Sequence, residues 1–155
     1  MLRVLVTSFA LVSLCAVIHT IGLVLLAYWL IRHRPTAESE SEFSISRYSV
    51  LLISVFAVIV LLHLLETLIW AAFYDLWSLF GDFETSWYFS VGSYTTIGYG
   101  DVVLPARWRM LGGLEGITGV LLCGLSTAFL FAAVNEMFAR QRSVRSGRDV
   151  PKAAR

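Results

Sequence analysis

The chain has 155 residues, 57% of them hydrophobic and 15% charged, with a formal net charge of +1. A water-soluble domain of this length has no use for so large an apolar share, and the near-zero net charge gives no electrostatic case for binding nucleic acid. The only cysteines, Cys15 and Cys123, both fall in apolar runs, which excludes a disulfide framework and reads as small, buried, reduced thiols.

Residues 2–31 carry only Arg3 and His19 as ionisable groups. The run exceeds the roughly 20 residues that cross a hydrocarbon core of about 30 Å. A secretory signal peptide has a shorter apolar core and a small-residue cleavage site. This run ends in RHR, as a stop-transfer segment does, and Leu14 before Cys15 spoils a lipoprotein cleavage site. Residues 1–31 are therefore expected to be a retained transmembrane helix. It holds no arginine series, so no voltage sensor of the usual type is readable, and lipid-facing packing is its expected role.

Residues 32–46 contain Pro35 and ESESE and read as a polar linker. A second helix is expected over about 47–75. Within it, residues 50–73 carry only His63 and Glu66 as ionisable groups, one turn apart. Ionisable side chains at membrane depth are costly and are functional candidates by default. At a rise of 1.5 Å per residue, Glu66 lies about 29 Å along from Arg47, toward the far leaflet. There it is expected to brace the next short helix by accepting from Tyr88 or Ser90. A pH-sensing pair is a second reading. A metal site of His63 with His19 is a third, on a weak pattern.

Residues 83–95 are amphipathic but too short to span, with Asp82 placed to cap them. Residues 93–101 then read SYTTIGYGD. Non-helical backbone at membrane depth is tolerated only where protein buries it or a watery path meets it. Placed between two spans, the segment reads as a re-entrant loop, and Pro105 suits the turn that follows. Gly98 and Gly100 reach backbone angles closed to other residues. Alternated with Ile97 and Tyr99, they let successive carbonyls point one way, while Thr96 adds a hydroxyl. Rings of such oxygens can replace the water shell of a monovalent cation.

A third helix is expected over about 107–140, where residues 111–134 carry only Glu115 as an ionisable group. Gly112, Gly116, Gly124, Ala128 and Ala132 form a row of small residues that allows close helix approach. Glu136 continues the row, as a ring at an inner mouth or as a surface pair with Arg140. Residues 141–155 are basic and expected to be unstructured. Nine of the 12 basic residues lie in the segments 32–47 and 140–155. By the positive-inside rule both are cytoplasmic, which puts the N-terminus and the 74–109 segment outside. Trp29 then marks the inner headgroup level, and Trp70, Trp77, Trp87 and Trp108 the outer one.

TTIGYGD resembles the selectivity filter of the potassium channel pore-domain family, TVGYG or a close variant, with Ile97 in place of the commoner valine. The resemblance covers about residues 47–140 as outer helix, pore helix, filter and inner helix, and leaves the first helix outside it. It implies K+ as permeant ion, coordinated by the carbonyls of Thr96, Ile97, Gly98 and Tyr99 and the Thr96 hydroxyl, within the filter 96–100 that Gly100 completes. It implies that Asp101 sits at the outer mouth, that Tyr99 favours potassium over sodium, and that Gly119 or Gly124 serves as a hinge in the inner helix. The pore helix would point its negative end at a central cavity. Some members carry a glutamate where this chain has Gly92, so the pairing that glutamate makes with the filter aspartate is absent here. One loop per chain cannot form a ring, and the family implies a homotetramer.

The expected protein is thus an all-α membrane protein with three transmembrane helices and a re-entrant loop. It would be a potassium-selective channel with no catalytic activity and no cofactor. Its partners would be itself and membrane lipid, in a plasma membrane of bacterial inner-membrane character. The rival readings are a weakly selective cation channel, a non-conducting accessory subunit, and an intramembrane metalloenzyme built on His19, His63 and Glu66.

Overall fold

Long uninterrupted apolar sequence produces long helices, because only a helix satisfies every backbone group within its own segment in lipid. A computed structural model describes residues 2–32 and 45–148, with side chains described over 2–32 and 48–139. The elements are α1 (Leu2–Arg32), α2 (Ile45–Leu76), α3 (Phe83–Tyr94) and α4 (Arg109–Arg148). No strand occurs among the described residues. Leu2–Arg32, Tyr48–Leu76 and Arg109–Ala139 are each long and apolar enough to cross a membrane. The chain is therefore an all-α, multi-pass membrane protein. Its outward faces suit lipid or a partner subunit: Phe9, Ile53, Leu61 and Phe131 are all more than half exposed.

Local chemistry sets the helix ends. At the close of α2, Leu79 N–H donates to the Tyr74 carbonyl at 3.0 Å and Ser78 N–H to the Asp75 carbonyl at 2.8 Å. Ser78 supplies the left-handed residue, φ +50°, that this Schellman closure needs. α3 starts where Asp82, in extended backbone, accepts from Thr85 N–H at 2.7 Å and from the Thr85 hydroxyl at 2.9 Å. Those bonds hold the Asp82 carboxyl below its usual range, the backbone donor foremost. α4 begins after Trp108 N–H closes a turn on the Pro105 carbonyl at 2.7 Å.

α3 lies between α2 and α4, and α1 packs against both α4 and α2. One core cluster joins Val4 and Cys15 of α1 to Trp70, Phe73 and Tyr74 of α2, Leu104, and Leu111 and Leu122 of α4. A second joins Leu23 and Leu26 to Val55 and Ile59. The row of small residues on α4 divides in two. Gly112, Gly116 and Gly119 face α3: a Cβ would stand 3.1 Å from Phe89 Cζ at the first and 3.1 Å from the Ser93 carbonyl oxygen at the second, and would overlap the Tyr94 carbonyl at the third. Gly124, Ala128 and Ala132 are exposed, and nothing lies within 4 Å of a Cβ built on Gly124.

Four expectations change. Trp70 is not at a headgroup belt; it is fully buried, because α1 covers that face of α2. Cys123 is exposed, and only Cys15 is buried. α4 continues past 140 to Arg148, since the first part of the basic tail has no proline and is rich in arginine, a good helix former. Gly119, one of the two hinge candidates, is a packing glycine. The expected linker falls almost wholly on residues 33–44 and the last of the tail on 149–155, both outside the described residues.

Gly119→Ala should destabilise the protein by about 1–3 kcal/mol, because backbone must shift to admit the methyl group. Gly124→Ala should leave stability unchanged or raise it by up to about 1 kcal/mol through helix propensity. Thermal unfolding in detergent, followed by retention on size exclusion, reads both. Equal behaviour of the two variants would count against the packing described here.

Candidate functional site

The segment that joins α3 to α4 has an unusual backbone. Thr96, Gly98 and Gly100 take positive φ, +61°, +53° and +81°, while Ile97 and Tyr99 between them do not. Positive-φ residues therefore alternate with negative-φ ones. In ordinary extended chain, successive carbonyls face opposite ways; an alternating sign of φ can turn them to one side. Glycine takes these angles freely, but Thr96 is β-branched, and such a conformation costs about 1–3 kcal/mol. It persists because neighbouring bonds hold it. Thr96 N–H donates to the Ser93 carbonyl at 3.0 Å and Gly98 N–H to the Gly92 carbonyl at 3.1 Å. Residues 95–100 are exposed on the chain's surface, Ile97 and Tyr99 included.

The far end of the loop is tied to α3. Tyr88 donates its hydroxyl to Asp101 Oδ2 at 2.8 Å, and its ring stacks on Tyr99 at 6.2 Å and 11°. Val102 N–H donates to Asp101 Oδ1 at 3.0 Å. The Tyr88 bond foremost keeps the exposed Asp101 carboxyl below its usual range. Beneath the loop, a groove of about 470 Å³ runs between Thr96 and Gly98 on one side and Gly113, Gly116, Ile117 and Val120 on the other.

Two buried carboxylates stand behind α3. Glu66 accepts from the Tyr94 hydroxyl and lies 2.8 Å from His19 Nδ1 and 3.2 Å from His63 Nδ1. It touches neither Tyr88 nor Ser90, the partners expected from sequence. Tyr88 turns toward Asp101 instead, and Ser90 toward a second carboxylate. That one is Glu115 on α4, which meets Ser90 Oγ at 2.5 Å and the Tyr74 hydroxyl at 2.7 Å. Ser90 Oγ also reaches the Thr67 carbonyl at 2.8 Å, and Trp87 Nε1 donates to Thr67 Oγ1 at 3.1 Å. α3 is thus pinned by polar contacts to α2 through Trp87, Ser90 and Tyr94, and to α4 through Ser90.

The sequence-derived residues therefore fall into separate places. Thr96, Ile97, Gly98, Tyr99, Gly100 and Asp101 lie together on the loop, with Tyr88 beside its Asp101 end. Glu66 lies under the last residue of α3. Gly124 and Glu136 lie on exposed parts of α4 away from the loop, and the Arg140 side chain is outside the described residues. Sequence reasoning missed Tyr94 and Tyr74, whose type carries no signal in an aromatic-rich membrane chain. It also gave Glu115 no role, although a lone carboxylate in an apolar helix is itself a signal.

Tyr88→Phe should raise the Asp101 titration midpoint toward the ordinary aspartate value. In the native chain the bond's stabilisation is present above that ordinary value and is lost as pH falls through the depressed one. The carboxyl carbon shift of Asp101, followed by NMR, reads this; an unchanged midpoint would show that the tyrosine does not hold the carboxylate.

A protein-family model described as "Ion channel" matches residues 50–136. No curated protein and no solved structure gives a match to the chain. The matched span takes in most of α2, all of α3, the whole loop and α4 to Glu136. It covers more than half of the 155 residues, and the chain therefore belongs to this ion-channel family.

Proposed function

We propose that the protein is a potassium-selective channel in which the loop 96–100 of four identical chains lines a common axis. The observation that carries this reading is the alternation of positive φ at Thr96, Gly98 and Gly100 within the sequence TTIGYGD. A backbone of that kind can present the carbonyls of Thr96, Ile97, Gly98 and Tyr99 as stacked rings, with the Thr96 hydroxyl below them. Such rings substitute for the hydration shell of K+.

Three further features support it. The loop is exposed on the single chain, although its backbone polar groups cannot be left facing lipid. Symmetric association around the loop would cover them, and closed rings are the usual outcome of such association. The groove beneath the loop would then open on a central cavity, toward which the C-terminal ends of four α3 helices point their partial negative charge. Asp101 would form an acidic ring at the outer mouth. The arginine-rich end of α4 would lie in the cytoplasm, with the N-terminus outside. Gly124 would be the remaining hinge candidate on α4, and Glu136 would stand near the inner mouth.

Purified protein in planar bilayers, with K+ on one side and Na+ on the other, tests this. The reversal potential should lie far from zero, in the direction that K+ permeability exceeding Na+ permeability requires, and Tyr99→Asp should collapse it toward zero. A native current that does not discriminate between the ions would make the protein a weakly selective cation channel. Well-folded homomers that never carry current would make it an accessory subunit.

A further inference from the structure

All four helices meet at one polar cluster that conduction through the loop does not require. α1 brings His19, α2 brings His63 and Glu66, α3 brings Tyr94 and α4 brings Ser126. The side chains of His19 and Glu66 are fully buried, and that of His63 is 18% exposed. Apolar helices pack on one another with leucine at no such cost, so a buried carboxylate flanked by two imidazoles calls for a reason.

The nitrogen atoms supply one. Both Nδ1 atoms face the Glu66 carboxylate, at 2.8 Å for His19 and 3.2 Å for His63. Both Nε2 atoms face one oxygen, Ser126 Oγ, at 2.9 Å and 3.2 Å. A hydroxyl has one hydrogen and two lone pairs. It can donate to only one of the two rings, so at least one histidine carries its proton on Nε2. When that ring is neutral, its Nδ1 lone pair points at the Glu66 carboxylate. A cation between the rings and the carboxylate lets both imidazoles take this form, with both Nε2–H groups donating to the two lone pairs of Ser126. Metal-bound histidines are commonly oriented in this way, through a hydrogen bond from the other ring nitrogen.

We propose that His19 Nδ1, His63 Nδ1 and a carboxylate oxygen of Glu66 form a binding site for a divalent transition-metal ion of the zinc class, with Ser126 orienting both imidazoles. One ligand atom from each of the three residues can be chosen so that all lie within 4.8 Å of one another. A tetrahedral ion with nitrogen and oxygen ligands at about 2.0–2.2 Å needs them roughly 3.4 Å apart; the His19 and His63 contacts with Glu66, at 2.8 Å and 3.2 Å, open by a few tenths of an ångström to admit it. Two imidazoles and one carboxylate suit zinc and its neighbours rather than calcium or magnesium, which prefer oxygen alone. The Tyr94 hydroxyl, 2.8 Å from His63 Nδ1, stands at the fourth position. Cys123 Sγ lies 3.9 Å from the other nitrogen of His63 and is outside the set. Because Tyr94 ends α3 and directly precedes the loop, an ion here ties α1 and α2 to the loop's base.

The test uses untagged, metal-stripped, full-length protein in detergent, titrated with Co2+ and then with competing Zn2+. Expected are one ion per chain, visible absorption of the tetrahedral Co2+ type that Zn2+ erases, and a higher thermal midpoint with Zn2+ present. Glu66→Gln and His63→Gln should each abolish the absorption, while Ser126→Ala should weaken binding by about 10–100-fold. If Glu66→Gln does not fold, His63→Gln carries the test, since that ring is partly exposed. Native protein that takes up neither ion at millimolar concentration would overturn the proposal. So would uptake that persists unchanged in folded His63→Gln protein. The readout is binding and not current, so it is decided independently of whether the loop conducts.

Discussion

Irregular backbone in a membrane protein must find hydrogen-bond partners or water, and that constraint governs this chain. Three helices satisfy their own backbone groups; the segment 95–100 cannot, because the alternating sign of φ over 96–100 breaks any regular ladder. It is a loop that lipid would not accept, and α3 is the element that carries it. Ser93 and Gly92 hold its start through their carbonyls, and Tyr88 holds its far end through Asp101 and Tyr99. The strained φ of Thr96 survives because both ends are tied.

α3 has twelve residues, too few to cross a membrane, and it is amphipathic only weakly. Its placement comes from polar contacts on two sides. Thr67 and Glu66 of α2 take up Trp87, Ser90 and Tyr94, while Glu115 of α4 takes up Ser90 alongside Tyr74. Between these contacts, glycines at 112, 116 and 119 bring the α4 backbone directly against α3. Bulk packing and directed bonds thus do different jobs. The glycines set the distance, and the buried carboxylates set the rotation and depth. Below Gly119, α4 leaves this contact, and its small residues face outward. There α1 takes over as the neighbour of α4, with Leu122 in the shared core and Ser126 against His19.

Much of this was legible in the sequence. Apolar run length gave three spans, and Asp82 gave the start of α3, since both depend on local chemistry. The loop was legible because its glycine spacing has few other uses. What escaped was everything decided by tertiary contact. Trp70 reads as an interfacial residue until α1 is seen to cover it. Ser78 gives no sign of a left-handed cap, which glycine usually supplies. Glu66 does lie against α3, but with partners other than Tyr88 and Ser90, because rotation about α2 cannot be read from a helix that is apolar on all sides. For the same reason nothing in the sequence links His19 to Ser126, 107 positions apart.

The central claim is that four copies of the loop face one axis and strip K+ of its water. Anomalous scattering from Tl+, a potassium surrogate, in crystals of the assembled protein tests it most directly. Expected is a file of peaks on a four-fold axis, level with the carbonyls of Thr96, Ile97, Gly98 and Tyr99. An assembly without such peaks, or one whose loops face away from the axis, would contradict it.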